Sequence, residues 1–242
     1  MDLNLKLLHH LQSIKLRHWD VEVRMLAAKS ISKLLQLDVS QCGRLFSDLL
    51  ADSSSPQLHI RHGSVLALSE CLKVLSTMEG GVMQQHLSAK LTTEVSLVVG
   101  GLDKNRLFRG RGSELLRQAA GDLIGSIASG NISVHKRTAW YYLDFLNFNL
   151  QQPHHHVRSA AAAALGQVLF AYFSTCTEGS DDFPKLLAAS AGKYINVVNS
   201  SDNVAVTRGM ALAIGSLPWN LVHSSEIPFQ VTFARVNGLF II

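Results

Sequence analysis

Val23-Arg24-Met25-Leu26-Ala27-Ala28 is one of four segments written on a single plan, the others being Ile60-Arg61-His62-Gly63-Ser64-Val65, Val157-Arg158-Ser159-Ala160-Ala161-Ala162 and Thr207-Arg208-Gly209-Met210-Ala211-Leu212. In each, an arginine opens an apolar-periodic run, small residues follow it, and leucines come a turn or two later. Leu116-Arg117-Gln118-Ala119-Ala120-Gly121 is a shifted member of the set. Successive arginines stand about 37 to 56 residues apart, which suits helical-hairpin repeats of about 40 to 47 residues with loop insertions. Small residues let the second helix of a pair approach its partner and the next repeat closely, so stacking buries what one hairpin leaves exposed. The repeat arginines Arg24, Arg61, Arg117, Arg158 and Arg208 are accordingly read as structural, each pairing with a neighbouring carboxylate or loop carbonyl.

Outward from these segments the helical period recurs along nearly the whole chain. Leu7, Leu11 and Ile14 mark a first helix. Val23, Leu26, Ala27, Ser30 and Leu34 mark a second, begun after Asp20 as its cap. Leu45, Phe46, Leu49 and Leu50 give a short helix ended by Ser53-Ser54-Ser55-Pro56. Ile60, Ser64, Leu68, Leu72 and Leu75 share a face of the next, which Glu79-Gly80-Gly81 stops. Leu87, Leu91, Val95, Val98 and Leu102 predict one longer helix. Residues 131–150 are aromatic-rich and apolar on most sides, as in a helix covered by neighbours. After Pro153 come Val157, Ala161, Leu165, Val168 and Tyr172, then Leu187, Ala191, Tyr194 and Val198, then Val206, Met210, Ala213 and Leu217, closed by Pro218. The expected fold is all-α, a HEAT/armadillo-type α-solenoid of helical hairpins, continuous over residues 1–218. Residues 219–242 form a non-repeat tail, strand-like at Val231, Phe233, Val236 and Leu239 to Ile242. A solenoid normally ends on a polar-faced capping helix, so an apolar end suggests a fragment or a replaced terminus.

Composition narrows the function. Apolar residues make up 47% of the chain and only 5 residues are Pro, which disfavours a disordered or fibrous protein. A net charge of +4, with the 11 histidines neutral, falls well short of a nucleic-acid-binding arm. Cys42, Cys71 and Cys176 are scattered and form no C-x-x-C, which suits a reducing compartment. The opening Met-Asp-Leu-Asn-Leu-Lys lacks the plan of a signal peptide, and the longest apolar run, residues 160–173, is shorter than the roughly 20 residues a bilayer needs. A soluble cytoplasmic protein without membrane insertion is expected.

The stretch most suggestive of a contact surface is Leu107-Phe108-Arg109-Gly110-Arg111-Gly112-Ser113-Glu114-Leu115-Leu116-Arg117-Gln118-Ala119-Ala120, preceded by Lys104 and Arg106. It reads as a loop emptying into a helix, with Ser113 or Gly112 as N-cap. Glycine permits sharp turns and close approach, while several cations in one loop attract anions. Phosphate binding is the sharper reading, but the stretch lacks the third glycine of the dinucleotide fingerprint and no Walker lysine follows. A plain inter-helix turn with solvated or ion-paired arginines stands beside a protein-contact role. Trp19, next to the cap Asp20, is either a contact hot spot or a staple against the helix that follows. No G-x-S-x-G elbow, H-E-x-x-H or Walker A sequence is present, so no catalytic residue is nominated. Adjacent residues on a helix do not converge on one ion, so His154-His155-His156 is not read as a metal site. No cofactor is expected. Nuclear transport or a generic interaction scaffold remains the alternative, while nucleic-acid binding is disfavoured because Asp52, Asp103, Asp122, Asp181 and Asp182 interrupt the cations.

Arg17-His18-Trp19-Asp20 with Val23 to Lys29, Ile60-Arg61-His62-Gly63, Phe108-Arg109-Gly110-Arg111-Gly112 with Leu116-Arg117-Gln118-Ala119, and His155-His156-Val157-Arg158-Ser159-Ala160, in that order, resemble the later part of the tubulin-folding cofactor D family of large HEAT-repeat chaperones. The resemblance runs from about Leu11 to Pro218, and that family is several times longer than this chain. It implies a non-enzymatic, cytoskeleton-associated assembly factor that captures β-tubulin and works with tubulin-folding cofactors C and E on the α/β heterodimer. It further implies binding of an Arf-like small GTPase and, as part of a cofactor complex, stimulation of GTP hydrolysis by tubulin. The catalytic arginine of that reaction is assigned by the resemblance to cofactor C, so no arginine here is nominated for it. The acidic surface of tubulin would be steered by a groove displaying Lys104, Arg106, Arg109 and Arg111.

Overall fold

The computed structural model describes residues 3–78, 82–174 and 182–218, and these contain α-helices, short 3-10 and π-helical turns and no strand. The helices are α1 (Leu3–His10), α2 (Val21–Leu37), α3 (Cys42–Ser53), α4 (Leu58–Thr77), α5 (Val82–His86), α6 (Ala89–Lys104), α7 (Ser113–Ser129), α8 (Lys136–Asn149), α9 (His155–Val168), α10 (Asp182–Ser200) and α11 (Val204–Ser216). Their starts have local causes. The Asp20 carboxylate accepts from the backbone N–H groups of Glu22 and Val23 and so caps α2. The side chains of Ser88 and Asn203 do the same for α6 and α11. The Ser88 cap also splits the single helix expected from Leu87 to Leu102: Leu87 lies before the cap, and the short α5 precedes it.

Contacts divide the chain into two compact units, Met1–Tyr142 and Leu143–Ile242, the division falling within α8. In the first unit α2 packs against α4 and α4 against α7, while α3 lies against both α4 and α6. This is a stack of hairpins: α1 with the π-helical turn Leu11–Lys15 precedes α2, α3 precedes α4, and α6 precedes α7. Tyr142, at the end of this unit, donates its hydroxyl to the Ser96 carbonyl of α6 at 2.6 Å. In the second unit α9 and α10 both pack against α11, and the Tyr194 hydroxyl of α10 donates to the Asn147 side chain of α8 at 2.7 Å. Each unit is thus of the all-α helical-repeat, solenoid-forming class.

Close approach between helices is set by glycine at equivalent places. A Cβ on Gly63 of α4 would overlap the Leu16 carbonyl oxygen at the end of the π-helical turn, and one on Gly209 of α11 would overlap the Leu150 carbonyl oxygen after α8. Hence a glycine at the sixth position of α4 and of α11 lets each of those helices seat on the carbonyl end of the preceding hairpin. The buried faces differ in places from the apolar periodicity. Leu7, Ile14 and Leu26 are exposed, whereas Leu8, Leu16, Arg24, Ala27, Ala28, Ile31 and Leu35 are buried. The physical reason in α2 is that its inward stripe is built around the arginine and two alanines, which turns Leu26 outward. Glu79-Gly80-Gly81, Asp181, Cys176 and the tail at 219–242 lie outside the described residues.

Candidate functional site

Two groups among the described arginines differ in geometry. Arg24 stands at the fourth position of α2 and is 2% exposed; its Nη1 donates to the carbonyls of His18 and Trp19, both at 2.8 Å. Arg61, fourth in α4, donates to Ser55 and Pro56 at 3.1 and 2.7 Å, and Arg158, fourth in α9, to Gln152 and Pro153 at 2.7 and 2.6 Å. Every one of these acceptors lies five or six residues upstream. A charged guanidinium thus ties down the loop that feeds its own helix and satisfies carbonyls that would otherwise be unpaired. Burial lowers the pKa of all three arginines, yet a guanidinium stays charged.

The first clamp reaches further than the others. Arg24 Nε donates to His62 Nδ1 at 3.0 Å, and the Leu115 backbone of α7 lies near the ring. His62 is buried, and burial together with the Arg24 charge pulls its pKa down to about 3, so the ring is neutral. One imidazole on α4 therefore ties two successive hairpins together through Arg24 of α2. In the other two clamps, Arg61 Nε and Arg158 Nε are buried without a hydrogen-bond partner.

Arg117 and Arg208 sit one position later in their helices. Arg117 donates to the Phe108 carbonyl at 3.1 Å, nine residues upstream, and its guanidinium stands 5.3 Å over the Phe108 ring. Burial lowers its pKa, opposed by Asp103 and Tyr141. Arg208 is exposed, and the fourth position of α11 is held by Thr207, whose hydroxyl reaches the Ser201 carbonyl, six residues upstream, at 3.3 Å. The arginine letter in the sequence and the clamp position in the helix are out of step by one there.

The second group lies at the end of α6 and in the loop that follows it. Lys104, Arg106, Arg109 and Arg111 are all exposed, and no ion pair to them is formed among the described residues. The loop is rigid at its base, because Phe108 is buried beneath Arg117. Arg106 closes α6 with φ of 59°, where its N–H donates to the Asp103 carbonyl and the next N–H, of Leu107, to Leu102. That is the helix-terminating turn in which glycine is usual at the left-handed position. Gly110 and Gly112 follow with φ of 86° and 76°. Gly112 is the cap residue of α7 and makes no side-chain cap bond, and a Cβ on it would also overlap the Leu58 side chain of α4. The loop therefore presents cations on a fixed frame. Glu114, in the first turn of α7, adds a carboxylate where an anion cradle needs neutral or positive groups.

Trp19 is 78% exposed, so it does not staple α2; its ring lies 5.4 Å from His18, and its carbonyl serves the Arg24 clamp. His154, His155 and His156 are exposed in the cap and first turn of α9, and no group of three or more metal-ligating side chains is gathered among the described residues. Cys42 and Cys71 are buried free thiols; burial pushes Cys42 up to about 12 and raises Cys71, which makes both poor nucleophiles. No described helix is long and apolar enough to cross a membrane.

Fold and site together define an all-α helical-repeat protein with a cluster of exposed cations at residues 104–111. Tubulin-specific chaperone D of Dictyostelium discoideum is 31% identical to this chain over 128 residues, which is 52% of this chain and 8% of that protein. The similarity thus extends over less than a tenth of that relative. No protein-family model matches the chain, and no solved structure matches it.

Proposed function

We propose that this chain acts as part of a tubulin-folding cofactor: a HEAT-repeat chaperone segment, without a catalytic group of its own, that holds β-tubulin during assembly or disassembly of the α/β heterodimer. The observation that carries this reading is the 31% identity over 128 residues with a tubulin-specific chaperone. The exposed cations of the 104–111 loop support it, because an acidic protein surface is steered toward such a patch. The partners follow from the same reading: β-tubulin first, then tubulin-folding cofactors C and E and an Arf-like small GTPase, in the cytoplasm. Stimulated GTP hydrolysis belongs, on this reading, to the assembled cofactors, because the resemblance assigns the catalytic arginine to cofactor C.

The test is a pull-down of the tagged 242-residue chain from cytosol, probed for β-tubulin and small GTPases at low and moderate salt. Retention of β-tubulin that weakens as salt rises is the expected result. A soluble, helical chain that retains neither partner would make these repeats a spacer and overturn the proposal.

A further inference from the structure

The α6–α7 hairpin departs from its neighbours at one place. In the clamps of Arg24, Arg61 and Arg158 a single cap residue separates the last clamped carbonyl from the helix: Asp20 after Trp19, Gln57 after Pro56 and His154 after Pro153. At Arg117 the clamped carbonyl is that of Phe108, and four residues, Arg109-Gly110-Arg111-Gly112, stand between it and the start of α7. The connection is the longest within the described hairpins, 105–112 against 16–20, 54–57, 150–154 and 201–203. Taking out Arg109, Gly110 and Arg111 would leave Gly112 as the single cap. It would also bring the Phe108 carbonyl from nine to six residues upstream of the arginine, a spacing found at Arg24, Arg61 and Arg158. The cation-bearing stretch is thus an insertion into the common clamp, and insertions in helical repeats collect on one face, often the binding face.

The insertion is held at both ends and open in the middle. Phe108 is buried, with Arg117 Nη2 at 3.1 Å from its carbonyl and the guanidinium 5.3 Å over its ring. Asp103 of α6 and Tyr141 of α8 lie near that guanidinium and so tie it to two further helices. At the other end, a Cβ on Gly112 would overlap the Leu58 side chain of α4. Between these anchors a Cβ on Gly110 would meet nothing within 4 Å, and Arg109 and Arg111 are exposed. A loop fixed in this way gives up little further freedom when a partner takes hold of its arginines.

We infer that Arg109-Gly110-Arg111 is a binding insertion for a carboxylate-rich segment of a partner protein, and that Arg117 is its positioning residue. This deepens the proposed function and rests on its reading of the loop as the surface that meets an acidic partner. Arg117 itself touches no partner; it keeps both arginines where one acidic segment reaches them together, and charge complementarity supplies the attraction.

The full chain is titrated with a labelled oligoglutamate peptide by fluorescence anisotropy at low salt. In parallel it is exposed to trypsin under native conditions, with cleavage after Arg109 and Arg111 followed by mass spectrometry. The wild type is expected to bind the peptide, less tightly as salt rises, and to be cut slowly in the loop. A variant lacking Arg109, Gly110 and Arg111 should lose binding by about tenfold or more. Its Tm should stay within about 3 °C, because it regains the connection of the other clamps. Removing two cations elsewhere, by Lys29→Gln with Lys33→Gln on α2, should leave binding unchanged. Arg117→Met should weaken binding by about threefold and speed cleavage after Arg109 and Arg111 by about tenfold, through local opening of the loop. Arg117→Lys keeps a cation over Phe108 and a donor for its carbonyl, so it should restore most of both. A merely structural arginine would lower Tm without singling out the loop for cleavage. Failure of the wild type to bind, an equal loss in the α2 variant, or a deletion variant that melts far lower or binds unchanged would each overturn the proposal. An Arg117→Met chain that does not fold, or whose loop is cut no faster, makes Arg117 a fold clamp and overturns its positioning role. If the deletion variant captures β-tubulin as the wild type does, the proposed function stands and this inference falls. If the chain binds the peptide through the loop yet captures no β-tubulin, the insertion stands as a site for another acidic partner.

Discussion

Arg24 and Arg109 are chemically one side chain in two environments, and the contrast separates what holds the repeats together from what they offer to a partner. Arg24 is enclosed and directs Nε and Nη1 at three acceptors, two carbonyls and His62. Arg109 is exposed on a loop framed by Gly110 and Gly112, with no ion pair among the described residues. A buried cation whose hydrogen bonds are made is worth its position only while they are made, since removal strands the acceptors. An exposed cation in water contributes little to folding and remains available for long-range attraction.

Removing the buried member should give the largest effect. Arg24→Ala is expected to destabilise the chain by about 3–5 kcal/mol, because it leaves the His18 and Trp19 carbonyls and His62 Nδ1 without their donor and opens a cavity between hairpins. Urea unfolding followed by far-UV circular dichroism measures this. A loss below about 1 kcal/mol would show that the clamp is dispensable and dissolve the contrast.

His62 sharpens it through pH. Folded, the ring takes a proton only near pH 3; unfolded, it does so near its ordinary value of 6.5. The unfolded chain therefore binds more protons between those values, so this contribution is complete above about pH 6.5 and declines as pH falls toward 3. The groups facing the ring are Arg24, itself near Asp20, and the Leu115 backbone, so no carboxylate is recorded in contact with the imidazole to stabilise a protonated form. Once the unfolded ring is fully protonated the slope approaches about 1.4 kcal/mol per pH unit, so the loss from pH 6.5 to 4.5 is on the order of 2 kcal/mol. Comparing wild type with His62→Gln across that range isolates it, because glutamine has no proton to take up. Parallel pH profiles for the two would remove His62 as the source.

How far the chain could be read from its letters differs between the two sets. The four arginine-led segments reveal the repeat and most helices, because period and small-residue spacing are local properties. Asp20 is legible as a cap for the same reason. The clamp is less legible, since it depends on position within the helix and not on the letter: Arg158 and Arg208 look alike in sequence, yet Arg158 is fourth in α9 and buried while Arg208 is fifth in α11 and exposed. Counting from the caps His154 and Asn203 would have shown the offset. The bridging place of His62 was hidden because its contact with Arg24 is made between two hairpins. The offset makes its own prediction: Thr207→Val should cost about 1 kcal/mol by removing the bonds to Ser201 and Asn203, and Arg208→Ala less than about 0.5 kcal/mol, in thermal unfolding. The reverse order would place the clamp on Arg208.

The exposed set gives the smallest effect on folding and the most informative one on function. Reversing Arg109 and Arg111 to Glu leaves the buried Phe108 under Arg117, and the glycine turns on either side of Arg111, in place. Stability should shift by less than about 0.5 kcal/mol, as for most exposed substitutions. Retention of β-tubulin at low salt should nevertheless fall, and its salt dependence should flatten, because two attractive charges become repulsive ones. Stability and capture thus separate between the two sets: Arg24→Ala loses both, while the loop reversal loses capture alone. If the reversed chain keeps its melting temperature and still captures β-tubulin with an unaltered salt dependence, the loop is not the acidic-partner surface, and the contact lies on another face of the repeats.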